Sequence, residues 1–581
     1  MRYRAAVLGA VLTLAASASA RTQELGIIDF PTSGSAAAQP LFIKGVLLMH
    51  SFEYDDAREA FVEAQKADPA FAMAYWGEAM TFNHAVWQQT SQDQAKAALA
   101  RLAPTAEARR AKAPTEKEKD WLSSVEKLYG PGDKPARDAA YGEAMKRMAD
   151  KYPSDDEVKA FYALSLLGLK AERDQSLYLR AAAIIEQVYA KNPLHPGAAH
   201  YLIHSYDDPE HAPLGLKYAD AYSKIAPAAS HALHMPSHIY VAMGMWDESA
   251  AINERSVKAA DARRDAKKLG VDERGFHALL WLVYSYAQQG RYEDARGILT
   301  QIDAAAKESG SVRTRSHLAL ARAAFLIETR KWSEARAPVA AKDLPKTAAV
   351  ADLFAIGFAA ARTGNRAGVG NALQQMAVLM EEAPVNLAPV RSNPSAPGRP
   401  GITPIAPGPV AVAPPGTRPV TPAPGHETHR APPATGLPTA GGGGDLRVPQ
   451  VMAQQLEAAL LFAEGRREEG LVLARQAAVV EATLPFEFGP PVPVKPVNEQ
   501  VGEMLMDLRR PKEAMEAFEL SLKRTPRRTL SMLGLARAAM ASKDLATAQR
   551  AYGELRLIWK NADKTLPELK ELGLVPPPSS Y

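Results

Sequence analysis

Histidine is the residue type in this sequence with the clearest capacity for chemistry. The chain has 13 histidines and no cysteine, so disulfides, thiolate nucleophiles and cysteine-ligated zinc are excluded. Two pairs are spaced four residues apart, His200 with His204 and His234 with His238. On a helix that spacing places both rings on one face, where neutral imidazole nitrogens could bind one metal ion. Zinc and copper are ions that such ligands favour.

The segment around these pairs adds further candidate ligands. Asp207, Asp208 and Glu210 follow His204 closely, and a carboxylate there could bind the ion or hold a histidine ring through its second nitrogen. The complete set of candidate metal ligands is His200, His204, His231, His234 and His238.

Two other interpretations of the histidines remain open. In the first, a groove lined by imidazole and aromatic side chains binds a peptide or an anionic ligand, and binding would then depend on pH. In the second, the histidines only link neighbouring helices by hydrogen bonds. The candidate ligand-binding residues of the groove are His50, Trp76, His84, Tyr201, Tyr240, His277 and His317.

Familiar catalytic motifs are missing from the sequence. Tyr201 follows His200 where the zinc-protease pattern H-E-x-x-H has its glutamate, so the usual general base is not in place. No nucleophile elbow, phosphate-binding loop or dinucleotide-binding glycine pattern occurs in a strand context. The sequence therefore favours a binding protein with no certain cofactor, and the alternative is a zinc- or copper-binding protein, with or without metal-dependent hydrolase activity.

Composition and the first residues indicate an exported, nearly neutral protein. The formal net charge is +4 over 581 residues, which makes no case for nucleic acid. Residues 1–20 have the pattern of a secretory signal: Arg2 and Arg4 precede a short apolar stretch that ends in Ala18-Ser19-Ala20. We expect a bacterial periplasmic or secreted protein with no membrane-spanning segment after the signal.

Proline divides the rest of the chain. Of the 44 prolines, 17 lie within residues 384–449, a segment with too few large apolar residues to build a core. We expect a disordered linker there, between helical blocks at 21–383 and 450–565, with a tail at 566–581.

Small and aromatic residues recur in both blocks. Gly45 precedes Phe61 by 16 residues, Gly502 precedes Phe518 by the same interval, and Tyr552 follows Phe518 by 34 residues. A glycine in one helix allows a second helix to approach closely, and the aromatic ring fills the space between one helix pair and the next. Residues 91–190 are helical in pattern but have no clean register.

This pattern resembles the tetratricopeptide repeat, a 34-residue helix-turn-helix unit. The resemblance implies an all-α fold, a right-handed superhelical solenoid of stacked repeats in two blocks, with a concave groove that binds a protein or peptide partner. The chain is also similar to a group of exported bacterial tetratricopeptide proteins, notably in residues 200–212 and 231–240. That wider similarity implies no activity.

The repeat frame relates the histidines to one another. Nine of the 13 fall on places 2, 5, 9 and 13 of the first helix of a unit: His231, His277, His317, His200, His234, His204, His238, His50 and His84. Those places form one continuous helical face beside the packing residues. We expect this face to look into the groove, and we expect neighbouring repeats to bring the five candidate metal ligands together.

Overall fold

The computed structural model describes residues 24–170, 172–380, 446–486 and 489–573. The predicted signal at 1–20 lies outside these ranges, as does the predicted linker except its last four residues. A helix already begins at Arg447, three residues before the predicted start of the second block.

The described residues form helices almost throughout. The helices up to the first histidine pair are α1 Gln39–His50, α2 Tyr54–Ala67, α3 Ala72–Met80, α4 Gln92–Leu102, α5 Ala106–Lys112, α6 Glu116–Leu128, α7 Lys134–Lys151, α8 Asp156–Leu167, α9 Gln175–Lys191 and α10 Pro196–Ser205. Next come α11 Ala212–Ile225, α12 Ser230–His234, α13 Pro236–Ala242, α14 Trp246–Lys267, α15 Phe276–Gln288, α16 Tyr292–Ser309, α17 Val312–Thr329, α18 Lys346–Arg362 and α19 Arg366–Met380. The last are α20 Arg447–Ala463, α21 Arg467–Glu481, α22 Val497–Asp507, α23 Pro511–Arg524, α24 Thr529–Ser542, α25 Leu545–Ile558 and α26 Leu569–Leu572.

Strand structure within the described ranges is limited to one hairpin. Its strands are β1 Asn83–His84 and β2 Gln89–Thr90, and they are antiparallel. No described helix combines the length and the apolar character needed to cross a membrane.

Helix pairs pack as the glycine–aromatic register predicts. A Cβ atom added at Gly45 or Gly77 would lie only 2.6 or 2.3 Å from the ring of Phe61. Phe61 on α2 therefore fills the space between the first helix of its own pair and that of the next pair, and neither position tolerates a larger side chain. Phe518 has the same position in the C-terminal repeats. The predicted all-α solenoid of tetratricopeptide-like helix pairs is confirmed.

The helices on either side of the predicted linker pack together. Helix α20 lies against α18 and α19, and one apolar core includes residues from Ala250 to Val497. The C-terminal helices also contact the middle of the chain. Trp246 Nε1 donates to the carbonyl of Arg527 at 3.0 Å, and Trp559 Nε1 donates to the carbonyl of Gln288 at 2.9 Å.

Candidate metal centre

Six histidines from three repeats meet inside the helix stack. His200 and His204 lie on α10, His231, His234 and His238 on α12 and α13, and His277 on α15. Pro236 begins α13 and separates it from α12, because proline lacks the N–H that a continuous helix would use there. The ring centres of His204 and His238 are 5.6 Å apart, and those of His234 and His277 are 4.5 Å apart. Five of these six are the metal ligands that the sequence predicts, and the structure adds His277.

These histidines do not line an open groove. Four of them are at most 4% exposed: His200, His204, His234 and His238. The ring of Phe52 covers His200 at 4.2 Å between centres, and the ring of Trp281 covers His238 at 4.5 Å. The expectation that this face is open to a macromolecular partner is wrong for these four, because Phe52, in the turn between α1 and α2, and Trp281, on α15, close over it.

Hydrogen bonds determine which nitrogen of His234 carries its proton. Its Nδ1 lies 2.6 Å from Oδ1 of Asn253. The Asn253 amide nitrogen donates to the carbonyl of Ser249 at 2.8 Å, so the amide oxygen faces the ring as an acceptor. His234 is therefore protonated on Nδ1, and its Nε2 has a lone pair.

His238 has the same tautomer for a different reason. Its Nδ1 donates to the carboxylate of Asp207, so its Nε2 also has a lone pair. The two Nε2 atoms face each other at 3.1 Å. Two lone pairs at that distance repel each other unless a proton or a metal cation lies between them.

The spacing fits a shared metal ion. Two nitrogens bound to a tetrahedral zinc ion at 2.0–2.1 Å are separated by about 3.3 Å. One nitrogen from each of His234, His238 and His277 lies within 4.8 Å of the others. Nδ1 of His277 is buried and has no hydrogen-bond partner. This group therefore offers three nitrogen donors to one ion.

A second group adjoins the first. Ligand atoms of His200, His204 and His231 lie within 4.8 Å of one another. His200 Nδ1 donates to the carbonyl of His50 at 2.6 Å, which leaves Nε2 with its lone pair. Nε2 of His200 and Nε2 of His231 are both buried without a hydrogen-bond partner. Ligand atoms of His204, Asp207 and His238 also lie within 4.8 Å of one another, and these residues link the two groups.

Burial keeps these imidazoles neutral. Loss of solvent, reinforced by repulsion among neighbouring rings, holds the pKa well below 6.5 for His200, His204, His231, His234 and His277. Neutral imidazole is the form that binds a metal, so metal ligation needs no proton to be removed from these rings at neutral pH.

A third group, which the sequence analysis missed, is structural. His50, Glu157 and His195 also have ligand atoms within 4.8 Å of one another. The N–H of Ala198 donates to His195 Nδ1 at 3.1 Å, so His195 Nε2 carries a proton and lies 3.2 Å from Glu157 Oε1. His50 Nε2 lies 2.9 Å from the other carboxylate oxygen. In this group the hydrogen-bonded carboxylate of Glu157 is flanked by two histidines, and the protons of their rings occupy the positions where a metal would bind.

The remaining predicted ligand-binding residues are mostly packing residues. Trp76 is fully buried among aromatic rings that include Trp121 at 5.0 Å, which corrects the expectation that it faces a groove. The hydroxyl of Tyr201 contacts His50 Nδ1 at 2.8 Å. Tyr240 donates to Asp220 at 2.8 Å.

His84 and His317 lie at the edges of the histidine cluster. His84 belongs to β1 rather than to a helix face, because α3 ends at Met80, and its ring stacks on Tyr54 at 4.0 Å. His317 Nδ1 donates to the carbonyl of Arg313 at 2.9 Å, and its ring centre lies 6.3 Å from that of His277. Burial lowers the pKa of His84 to about 4 and that of His317 to about 3.

A pocket of about 160 Å³ reaches the metal-ligand candidates. His231, His234 and His277 line it, and Trp87 and Arg313 belong to its wall. Sequence reasoning missed Arg313, because one arginine in a helix rich in arginine has no distinguishing signal.

The site and fold together define a tetratricopeptide-like solenoid with a buried histidine cluster. No protein-family model and no curated protein sequence matches the chain. Among solved structures it is similar to the Cut9–Hcn1 hetero-tetramer of the APC/C, with 11% identity and a TM-score of 0.31 over 94% of this chain and 78% of that chain. It is also similar to human IFIT1 bound to m7Gppp-AAAA, with 12% identity and a TM-score of 0.34 over 91% of each chain. For yeast Tom70 the identity is 12% and the TM-score 0.27 over 92% of this chain and 94% of that chain. The fold assignment rests on the helix packing described above.

Proposed function

We propose that the protein binds a transition-metal ion through His234, His238 and His277. The observation that carries this proposal is the 3.1 Å approach of two Nε2 lone pairs, since the Nδ1 proton of each ring is held by Asn253 or Asp207. Histidine ligands in metal sites commonly donate their second N–H to such partners. Zinc and copper suit neutral imidazole donors.

A proton shared between the two rings is the competing explanation. It would make one ring an imidazolium ion; because burial lowers the pKa of His234, that charge would lie on His238, beside the carboxylate of Asp207, and the metal analysis below distinguishes the two explanations. A metal ion also brings positive charge, but three directed nitrogen donors compensate for its lost hydration. The adjoining group of His200, His204 and His231 supplies a second site of the same kind, and we propose that it binds a second ion.

Metal analysis of the purified protein tests this proposal. We expect one to two equivalents of zinc or copper after reconstitution and dialysis, and a loss of at least one equivalent in the double variant His234→Ala/His238→Ala. His211→Ala is the matched control, because His211 is a partly exposed histidine that contacts Asp208 outside both groups. Equal metal content in all three proteins would contradict the proposal.

Metal-dependent hydrolysis is a second candidate function, and the pocket favours it. Three protein ligands leave a coordination position for water in catalytic zinc sites, and the pocket reaches two of the three ligands, His234 and His277. The test is hydrolysis of p-nitrophenyl acetate by the metal-loaded protein. A rate equal to that of the His234→Ala/His238→Ala variant would rule this function out.

The tetratricopeptide-like fold supports a role as an interaction scaffold, since stacked repeats build extended binding surfaces. We propose that any protein or peptide partner binds outside the histidine cluster, because the cluster is buried. The double variant His234→Ala/His238→Ala should then keep its partners. Loss of a partner together with the metal would place that partner at the metal centre instead.

We also propose that the protein is exported, which rests on the signal-like pattern of residues 1–20. The mature chain should begin near Arg21. N-terminal sequencing of protein recovered from a periplasmic fraction tests this, and a chain that begins at Met1 in the cytoplasm would contradict it.

A further inference from the structure

The pocket above the histidine cluster has an unusual balance of charge. Four arginines line it, and three of them are neutralised by nearby carboxylates: Arg58 pairs with Asp55, Arg263 with Asp56 and Arg274 with Asp261.

Arg313 differs from the other three arginines. Its Nη1 donates to the backbone carbonyl of Asp272 at 2.6 Å, and its Nε is buried without a hydrogen-bond partner. The carboxylates of Glu273 and Asp272 attract its charge and act to raise its pKa. Burial lowers its pKa, yet arginine keeps its charge in proteins at neutral pH. Since burial still lowers the pKa, these carboxylates compensate only part of the cost of desolvating the charge, and a bound anion would reduce that cost further.

The acidic residues of the pocket wall also have other partners. Glu53 already accepts hydrogen bonds from the N–H of His231 at 3.0 Å and from the hydroxyl of Ser230 at 2.9 Å. Asp55 pairs with Arg58, and Glu273 lies 3.4 Å from Nη1 of Arg263. These carboxylates also limit the charge of a ligand, since they would repel a polyanion.

We infer that the pocket binds a small ligand through a single oxyanion group, a carboxylate or a phosphate. One oxygen of that group binds the metal ion held by His234 and His277, and another accepts hydrogen bonds from Arg313, whose guanidinium matches such groups geometrically. The aromatic wall formed by Phe52 and Trp87 suits an apolar remainder of the ligand. This inference rests on the proposed metal site.

Cobalt-substituted protein provides the test, because the visible spectrum of bound Co²⁺ changes when an anion enters its coordination shell. The protein is loaded with Co²⁺, its metal content is measured, and inorganic phosphate and acetate are titrated in separate experiments. We expect saturable spectral changes with at least one of the two anions, and the stronger ligand identifies the preferred group. Replacing Arg313 by glutamine should weaken that binding about tenfold or more, the effect of losing a charge-assisted hydrogen bond.

Arg274→Gln is the matched control, because Arg274 lines the same pocket but is paired with Asp261. It should change anion affinity less than threefold. If cobalt binds and neither anion changes its spectrum, or if Arg313→Gln and Arg274→Gln bind anions equally, the inference is wrong and the metal site stands. If no cobalt binds to the unsubstituted protein, the proposed metal site itself fails, and the metal measurement shows this separately.

Discussion

The Nε2 atoms of His234 and His238 face each other at 3.1 Å, although neither atom carries a proton in the hydrogen-bonded arrangement around the two rings. His195 provides the contrast. Its Nε2 also faces a potential ligand, Glu157, but the helix N–H bonded to its Nδ1 forces the proton onto Nε2. Proximity of donor atoms alone does not distinguish the two groups. The position of the proton does, and of these two groups it supports metal binding only by the first.

Asp207 should control metal affinity although it is not itself a ligand of the first group. Asp207→Asn removes the carboxylate that orients His238, and loss of such a partner typically weakens metal binding by about 10- to 100-fold. Asp208→Asn is the control, because Asp208 is equally buried but pairs with Arg173 at 3.1 Å. Competition with a chelator measures both affinities. Equal affinities in the two variants would show that Asp207 does not act on the metal.

Gly77 should tolerate no side chain. Gly77→Ala brings a Cβ within 2.3 Å of the Phe61 ring and should cost about 1–3 kcal/mol or more. Gly553→Ala, also in a helix but with nothing within 4 Å of the new Cβ, should gain about 0.5–1 kcal/mol. Thermal unfolding midpoints measure both changes, and a stabilising effect of Gly77→Ala would refute the packing described for Phe61.

Glu157 should stabilise the fold in a pH-dependent way. Burial alone would raise its pKa, but His50 and His195 outweigh burial and lower the pKa to about 2 from 4.5. The carboxylate therefore contributes stability above pH 4.5, and that stability is lost as the pH falls from 4.5 towards 2. Glu157→Gln should cost about 3 kcal/mol at pH 7.

Unfolding midpoints of the native protein and Glu157→Gln, measured from pH 8 to pH 4, test this. The difference between the unfolding midpoints of the two proteins should be constant at neutral pH and begin to narrow below pH 4.5. A gap that widens on acidification would mean that Glu157 is protonated in the folded protein.

Arg528 should hold the C-terminal repeats against the middle of the chain. It is fully buried and pairs with Glu499 at 2.7 Å and with Glu328. Arg528→Met leaves Glu328 without its cation and Glu499 paired with Lys495 alone, and it should cost about 3–5 kcal/mol. Arg475→Met breaks an exposed pair with Glu513 and should cost less than about 1 kcal/mol. Similar decreases in the free energy of unfolding, measured in urea for both variants, would contradict the role assigned to Arg528.

The helix pairs could be predicted because their signals are local. Gly45, Phe61 and the residues between them lie within one repeat, so their spacing alone predicts the packing. The contact of Trp246 with Arg527 joins residues 281 positions apart, and no periodicity connects them. This is why the sequence alone predicts two separate blocks.

The candidate site could be predicted only in part for the same reason. The repeat frame places His234 and His238 on one helical face, and Asp207 follows the preceding pair closely enough to be considered. The partners that determine which ring nitrogen of each histidine carries the proton are harder to predict from the sequence. Asn253 is an ordinary residue of α14, and Glu157 reaches His50 across 107 residues of sequence.

Anomalous diffraction from crystals of the zinc-loaded protein tests the central claim most directly. Data collected on both sides of the zinc absorption edge locate the ion without reference to its ligands. We expect a peak between the rings of His234 and His238, about 2.0–2.1 Å from each Nε2, with His277 as the third protein ligand. A well-occupied zinc peak elsewhere, with the two Nε2 atoms still in direct contact and no peak between them, would contradict it.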